Sequence, residues 1–285
     1  MKKNQTSIVQ PAKKTSSFGI TAFCFAILWL IIAGGPFVFQ VFTTLKTQGE
    51  FVSGSLFEWP EKFQLGNYAS VISGGFYKYF LNSVIVLAVS LTLLLLFSAF
   101  AAYPLSRMEF KLNKPIYSVI VAAMSIPIHI TLIPIFVMTI RFRIYDNMLA
   151  LIGPNVAFNL PVSVFILTGF MRGISKEMEE AAEIDGCGKF ATFFRILFPL
   201  SKPGLATLAI YNGVMIWNEF IFAATLTSEK AQTLPMAVWQ YQGQYSINIP
   251  MIMALLVLSS LPMILFYIFG QDKLVKGMMA GAVKG

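Results

Sequence analysis

The chain has 285 residues, 56% of them hydrophobic and only 12% charged, with a mean hydropathy of +0.71. Soluble domains carry about a quarter charged residues, so this composition argues against a soluble enzyme, a disordered chain or a disulfide scaffold, and for a membrane protein that crosses several times. The net charge of +8 then points to nucleic acid, anionic lipid or membrane topology, depending on where the charges sit.

A helix needs roughly 20 apolar residues to cross about 30 Å of hydrocarbon, so stretches free of Asp, Glu, Lys and Arg mark the crossings. Residues 1–17 read as a tail carrying Lys2, Lys3, Lys13 and Lys14. The charge-free stretch 15–45 follows. A signal peptide's apolar region is about 7–15 residues, and this run is far longer, which predicts an uncleaved first helix. Further spans are expected at 79–106, 115–140, 147–171, 203–222 and 251–270, the fifth interrupted near its end by Glu219. Short alternating segments would mark a barrel. The reading is therefore all-α: a polytopic membrane protein with six transmembrane helices over 18–271 and a C-terminal tail at 272–285.

The basic excess is unevenly placed. With the N-terminus inside, inner segments hold 15 Lys and Arg against six outside. That bias predicts a multi-pass protein of the cell membrane with both termini cytoplasmic, and it explains the charge without nucleic acid. Cys24 falls in the first span and Cys187 in an inner loop, so no disulfide between them is expected.

Several chemistries are missing. One histidine, His129, excludes a multi-histidine metal motif, and no metal or cofactor site is predicted. Gly186–Lys189 reads GCGK, but Glu183 and Phe190 stand where a phosphate-binding loop needs Gly and Ser or Thr. Glu219 is the lone acid within a span. Ion-coupled carriers usually carry more intramembrane carboxylates, so a secondary carrier is the weaker alternative, and a membrane-embedded enzyme lacks a polar constellation.

The inner loop at 175–202 is the most informative segment: SKEMEEAAEIDGCGKFATFFRILFPLSK. Ser175 suits a helix N-cap, and Glu177, Glu179 and Glu180 fall where the helix dipole favours acids. Met178, Ala181 and Ala182 form a small apolar face, and Gly186 is expected to end this helix. Phe190, Phe193, Phe194 and Leu197 then recur at i, i+3, i+4 and i+7, predicting a second arm closed by Pro199. Five acids between Glu177 and Asp185 would be repelled by anionic lipid, which favours docking into another protein over an interfacial helix pair.

Glu180-Ala181-Ala182, Gly186, Ile196 and Pro199 resemble the EAA loop of binding-protein-dependent ABC importer permeases. Cys187 and Phe198 are mild departures from that pattern. Asn67-Tyr68, Leu81-Asn82-Ser83, Tyr103 with Arg107, Trp217-Asn218-Glu219-Phe220 and the ending Gly281–Gly285 are similar to the carbohydrate branch, in particular the second, six-span permease of maltose- or oligosaccharide-type systems. The resemblance implies a type I importer permease fold whose elbow is a coupling helix seated on a cytoplasmic ATPase dimer. It implies coupling roles for Glu179, Glu180, Ala181, Ala182, Asp185, Gly186, Phe190 and Pro199. It also implies a second permease subunit as heterodimer partner, an extracytoplasmic sugar-binding protein and a sugar substrate.

Substrate-pathway candidates are weaker. Glu219 and His129 are intramembrane ionisable groups. Glu219 fits a pathway role or a hydrogen bond to a facing helix equally well. His129, between Pro127 and Pro134, fits a partner for carbonyls that the prolines free. Asn155, Asn159 and Asn218 suit either sugar hydroxyls or helix–helix bonds. In the outer loop, Trp239, Gln240, Tyr241, Gln242 and Tyr245 mix flat rings with amides, as a sugar-stacking surface or an interfacial aromatic belt would. The resemblance places that loop against the binding protein.

Overall fold

The computed structural model describes residues 17–55, 58–240 and 248–282. Among them the order is α1 (Ser17–Thr43), α2 (Gln48–Ser53), α3 (Gly66–Val71), a π turn at Ile72–Phe76, α4 (Tyr77–Arg107), α5 (Asn113–Ala123), α6 (Ile128–Arg141) and α7 (Met148–Arg172). Then come α8 (Glu177–Ile184), α9 (Lys189–Thr192), a π turn at Phe193–Leu197, α10 (Phe198–Leu200), α11 (Lys202–Trp217), α12 (Ile221–Leu226), α13 (Leu234–Gln240) and α14 (Ile249–Ala282). Among the described residues, four helices are long and apolar enough to cross a membrane, and the bent pairs α5–α6 and α9/α10–α11 bring the number to six when each is one span.

Two of the six expected spans are bent. The third span breaks by 96° between Ala123 and Ile128. Pro127 lacks an N–H and forces its neighbour out of helical geometry. The carbonyls this frees are reclaimed locally, Ala122 by Ser125 N and Ala123 by Ile126 N, so His129 is not needed to satisfy them. The fifth span bends by 66° between Leu200 and Lys202, and Pro199 lies inside the last turn before the bend instead of closing the arm. That span ends at Trp217, so Glu219 sits in the connector beyond it. The last helix runs on to Ala282, past the expected boundary at 271.

The core is built around α4 and α7, the most extensively packed pair. Without a hydrophobic difference between lipid and side chain, close packing of small residues holds such helices together. Ser90, Ser98, Ala99 and Ala102 of α4 and Ala150, Ser163 and Thr168 of α7 are accordingly all buried. On α7 the side chain of Asn159 donates to Asn155 O, and Ser163 Oγ donates to Asn159 O. Asn212 of α11 then donates to Ser163 Oγ at 3.0 Å, so this ladder ties α11 to α7.

Where α7 and α11 meet near the end of α7 that leads to α8, a Cβ on Gly204 would lie 2.9 Å from the Phe170 ring. Gly204→Ala must push that ring aside, at about 1–3 kcal/mol. A lower unfolding midpoint in detergent is expected, with Phe170→Leu in the same chain restoring most of the loss.

Candidate functional site

The elbow at 175–202 forms as a structure of its own. Ser175 Oγ accepts Glu177 N at 3.3 Å, and α8 begins with three acids in its first turn. It ends in a Schellman motif: Gly186 N donates to Glu183 O and Cys187 N to Ala182 O. Such an ending requires a left-handed residue, and Gly186 has φ +80°.

The second arm departs from the expected stripe. Phe193 is buried with Ala99, Ala102, Leu167, Met171 and Leu208 and Leu197 is fully buried, whereas Phe190 is 82% exposed and Phe194 is also exposed. The π turn at Phe193–Leu197 adds a residue to the turn and shifts the phase of a 3.6-residue repeat. Only half of the aromatic face therefore anchors the elbow. Phe194 stays half-exposed with its ring edge-on to Phe100 of α4 at 6.1 Å, and Phe190 points away together with Met178 and Ile184, the last 87% exposed. Glu180, Ala181, Asp185 and Gly186 are exposed as well, Pro199 is half-buried and Ala182 is buried.

Two residues fix the elbow to the bundle. Tyr103 Oη donates to Lys189 O at 3.1 Å, and its ring lies 5.0 Å from that of Phe193. Arg107, at the end of α4, pairs through Nε with Glu179 Oε1 at 2.9 Å, with the two side chains 3% and 17% exposed. Its guanidinium also donates to Met171 O and Ile174 O at 2.6 and 2.7 Å. One side chain thus joins α4, the end of α7 and α8. Burial pushes the Glu179 carboxyl up, Arg107 pulls it back and Glu183 adds to the rise, with a net upward shift.

At the opposite end, residues 227–234 are held from three directions. Asp146 accepts the backbone N–H groups of Ser228, Glu229, Lys230 and Ala231 and the Ser228 hydroxyl at 3.0–3.2 Å. Its own N–H donates to Leu226 O. Asn82 Nδ2 donates to Lys230 O and Gln232 O, both at 2.9 Å, and Ser83 Oγ accepts Leu234 N at 2.8 Å. Sequence reasoning missed Asp146, because its partners are backbone groups more than 80 positions away.

The candidate pathway residues do not converge. His129 is exposed on the first turn of α6. Asn155 is buried and donates to Leu151 O in its own helix, and Asn159 belongs to the ladder above. Glu219 accepts Phe222 N at 2.6 Å and Ala223 N at 3.2 Å, so it caps α12 instead of bonding a facing helix. Asn218 and Trp239 do share a place, a cavity of about 880 Å³ that Trp217, Phe220, Gln40 and Ser259 also line. The side chain of Gln240, and Tyr241, Gln242 and Tyr245 entirely, lie outside the described residues, as do the N-terminal tail through residue 16 and the final 283–285.

Residues 94–279 match the family described as "Binding-protein-dependent transport system inner membrane component". The chain belongs to this family. It is 53% identical over 264 residues to a putative ABC transporter permease, ORF2, of Caldicellulosiruptor sp. (strain Rt8B.4), covering 92% of this chain and 96% of the relative. It is 35% identical to the melibiose/raffinose/stachyose import permease MelC of Bacillus subtilis (strain 168), over 88% of this chain and 91% of that one. Among solved structures it superposes on a chain of a bacterial ABC transporter that imports the acidic polysaccharide alginate, with TM-score 0.78 and 19% identity, covering 94% and 99% of the two chains. The fold is that of a type I importer permease, and the chain is a multi-pass membrane protein.

Proposed function

We propose that this chain is the second, six-span permease of an ATP-driven importer of oligosaccharides, and that it transmits ATPase motion through the α8 elbow. It works as a transport component, with hydrolysis on a separate ATPase dimer. A second permease completes the pathway, and an extracytoplasmic sugar-binding protein delivers the substrate. The charge bias supports a cell-membrane location with both termini cytoplasmic, and the sugar named for MelC supports the substrate class. An ion-coupled carrier would need a free intramembrane carboxylate, whereas the Glu219 carboxylate is engaged by the N–H groups of α12.

The observation that carries this reading is the division of labour in the elbow. Arg107, Tyr103, Ala182, Phe193 and Leu197 fasten it to the bundle, while Met178, Ile184 and Phe190 are left for a partner. A surface so anchored moves only with the helices behind it, so closure of an ATPase dimer would rock the bundle as a body. At the outer end, the loop that carries Trp239, Gln240, Tyr241, Gln242 and Tyr245 is the part offered to the binding protein, and the braced segment at 227–234 leads into it. The 880 Å³ cavity, with Trp239 and Phe220 rings 6.4 Å apart and Asn218 nearby, has the mixture of flat apolar faces and amides that sugars need.

Gly186→Asp tests the coupling. Aspartate tolerates left-handed backbone better than most residues, but a further carboxylate beside Asp185 at the C-terminal end of α8 meets the negative end of the helix dipole, so the elbow should lose its turn while the spans stay intact. In proteoliposomes carrying the assembled importer, ATP hydrolysis should persist while oligosaccharide uptake falls to background. Uptake equal to the parent's would overturn the coupling role.

A further inference from the structure

A second cavity, of about 450 Å³, opens between the ends of α4, α5 and α7. Its lining gathers Arg107, Lys111, Lys114, Arg172 and Lys176 against one acid, Glu109. Arg107 is already paired with Glu179. The other cations come from two separate stretches, 111–114 and 172–176, and each falls in an inner segment where the topology rule alone would accept it. The fold brings them to a single concavity, which the rule does not require.

The wall of that cavity is stiff. Asn113 Nδ2 donates to Met108 O at 2.8 Å, closing the 108–113 turn. Arg172 donates to Leu105 O at 3.2 Å and stacks its guanidinium 5.0 Å from the Tyr117 ring centre. These bonds use only part of the donor capacity of Arg172, and Lys111, Lys114 and Lys176 stand exposed around the mouth. Leu112, just before the adjoining helix α5, and Ile116 and Val119 on it are exposed. The pocket therefore sits where hydrocarbon gives way to headgroups. A concave cluster of lysine and arginine at that depth suits a phosphate carried on a lipid.

We infer that the cavity between α4, α5 and α7 binds the phosphate headgroup of an anionic phospholipid from the leaflet facing the ATPase. The site uses Lys111, Lys114 and Lys176 as mobile cations and Arg172 as a fixed one. The occupant locks the turn that carries Arg107 and so stiffens the base of the elbow. Only the choice of leaflet rests on the orientation proposed above, and lipid binding by the purified chain is read without transport.

The test is retention of phosphatidylglycerol against phosphatidylcholine by the full chain in detergent, followed by native mass spectrometry. The double variant Lys114→Gln/Lys176→Gln is compared with a control, Lys62→Gln/Lys78→Gln, that removes two lysines from the other side. Each lysine near an anionic surface contributes enough that losing two should weaken phosphatidylglycerol retention about thirtyfold, with the control and phosphatidylcholine unchanged. Equal retention by both double variants would overturn the site. Displacement of the lipid by millimolar inorganic phosphate would overturn the lipid as occupant in favour of the free anion. Loss of ATPase co-purification with unaltered lipid retention would reassign the pocket to an acidic protein partner.

Discussion

Arg107→Ala is expected to lower the unfolding midpoint of the detergent-solubilised chain by several degrees and to reduce oligosaccharide uptake by the assembled importer to near background. Truncating one partner of a buried ion pair costs about 3–5 kcal/mol, because the other charge is left without compensation. Here the loss is compounded, since Met171 O and Ile174 O lose their donor as well. Arg107→Lys should rescue little, for an ammonium cannot spread planar donors over a carboxylate and two carbonyls at once.

The other half of the pair should behave differently, and the sign follows from its titration. Burial, opposed in part by Arg107, raises the Glu179 carboxyl above its ordinary range. A raised acid contributes stability that is complete below its unfolded value and is lost as pH rises through the folded value. Once pH rises through that folded value, the Glu179 charge is therefore a net burden on folding. Glu179→Gln, which removes the charge and keeps the side chain's size and shape, should change the melting midpoint little or raise it slightly. A fall as large as that of Arg107→Ala would show that the carboxylate charge itself holds the elbow.

That asymmetry separates what could be read along the chain from what could not. The spans were visible because burying a charge in lipid is expensive enough to clear whole stretches of acids and bases. The elbow was visible because Gly186 had to occupy a left-handed turn and the acids had to sit at a helix start. The phase of its second arm was not, since a π turn changes the period that the stripe at Phe190, Phe193, Phe194 and Leu197 assumes. Bends at Pro127 and after Pro199 had local causes, yet their angles depend on the helices they meet.

Residues singled out only by resemblance acquire physical reasons in the fold. Asn67 donates to Thr44 O and Lys46 O, and Tyr68 shares a hydrogen bond with Thr44, which tethers the end of α1. Asn82 and Ser83 brace the 227–234 loop, Tyr103 and Arg107 brace the elbow, and Trp217 Nε1 donates to Ser259 O across to α14. These side chains act as long-range staples. Pattern reading locates periodic faces and caps, whereas a staple to a distant backbone carbonyl leaves no periodic trace.

Asp146 is the extreme case, and its removal is the second large effect expected. Burial disfavours its ionisation, but the N–H groups of Ser228, Lys230, Ala231 and Glu229 outweigh that and hold the carboxyl well below the usual carboxylate range. Successive backbone N–H groups curled around one anion form a nest, and here the anion is supplied by the chain itself. Hydrogen bonds to a charged group are worth about 1.5–3 kcal/mol, so Asp146→Ala should destabilise the chain by that order. It also places an unsuitable residue at φ +56°. Asp146→Asn tolerates that backbone and keeps one acceptor oxygen, so it should lose roughly half as much, the part due to charge. A depressed acid contributes stability that is present above its unfolded value and lost as pH falls through the folded one. The gap between parent and Asp146→Asn should therefore stay constant from pH 5 to pH 8 and close only in strong acid. In the reconstituted importer, both variants should lose stimulation of ATP hydrolysis by the binding protein while keeping basal hydrolysis, because the elbow lies at the other end of the bundle. Loss of basal hydrolysis together with stimulation would mean that the clasp supports the whole bundle instead of positioning the outer loop.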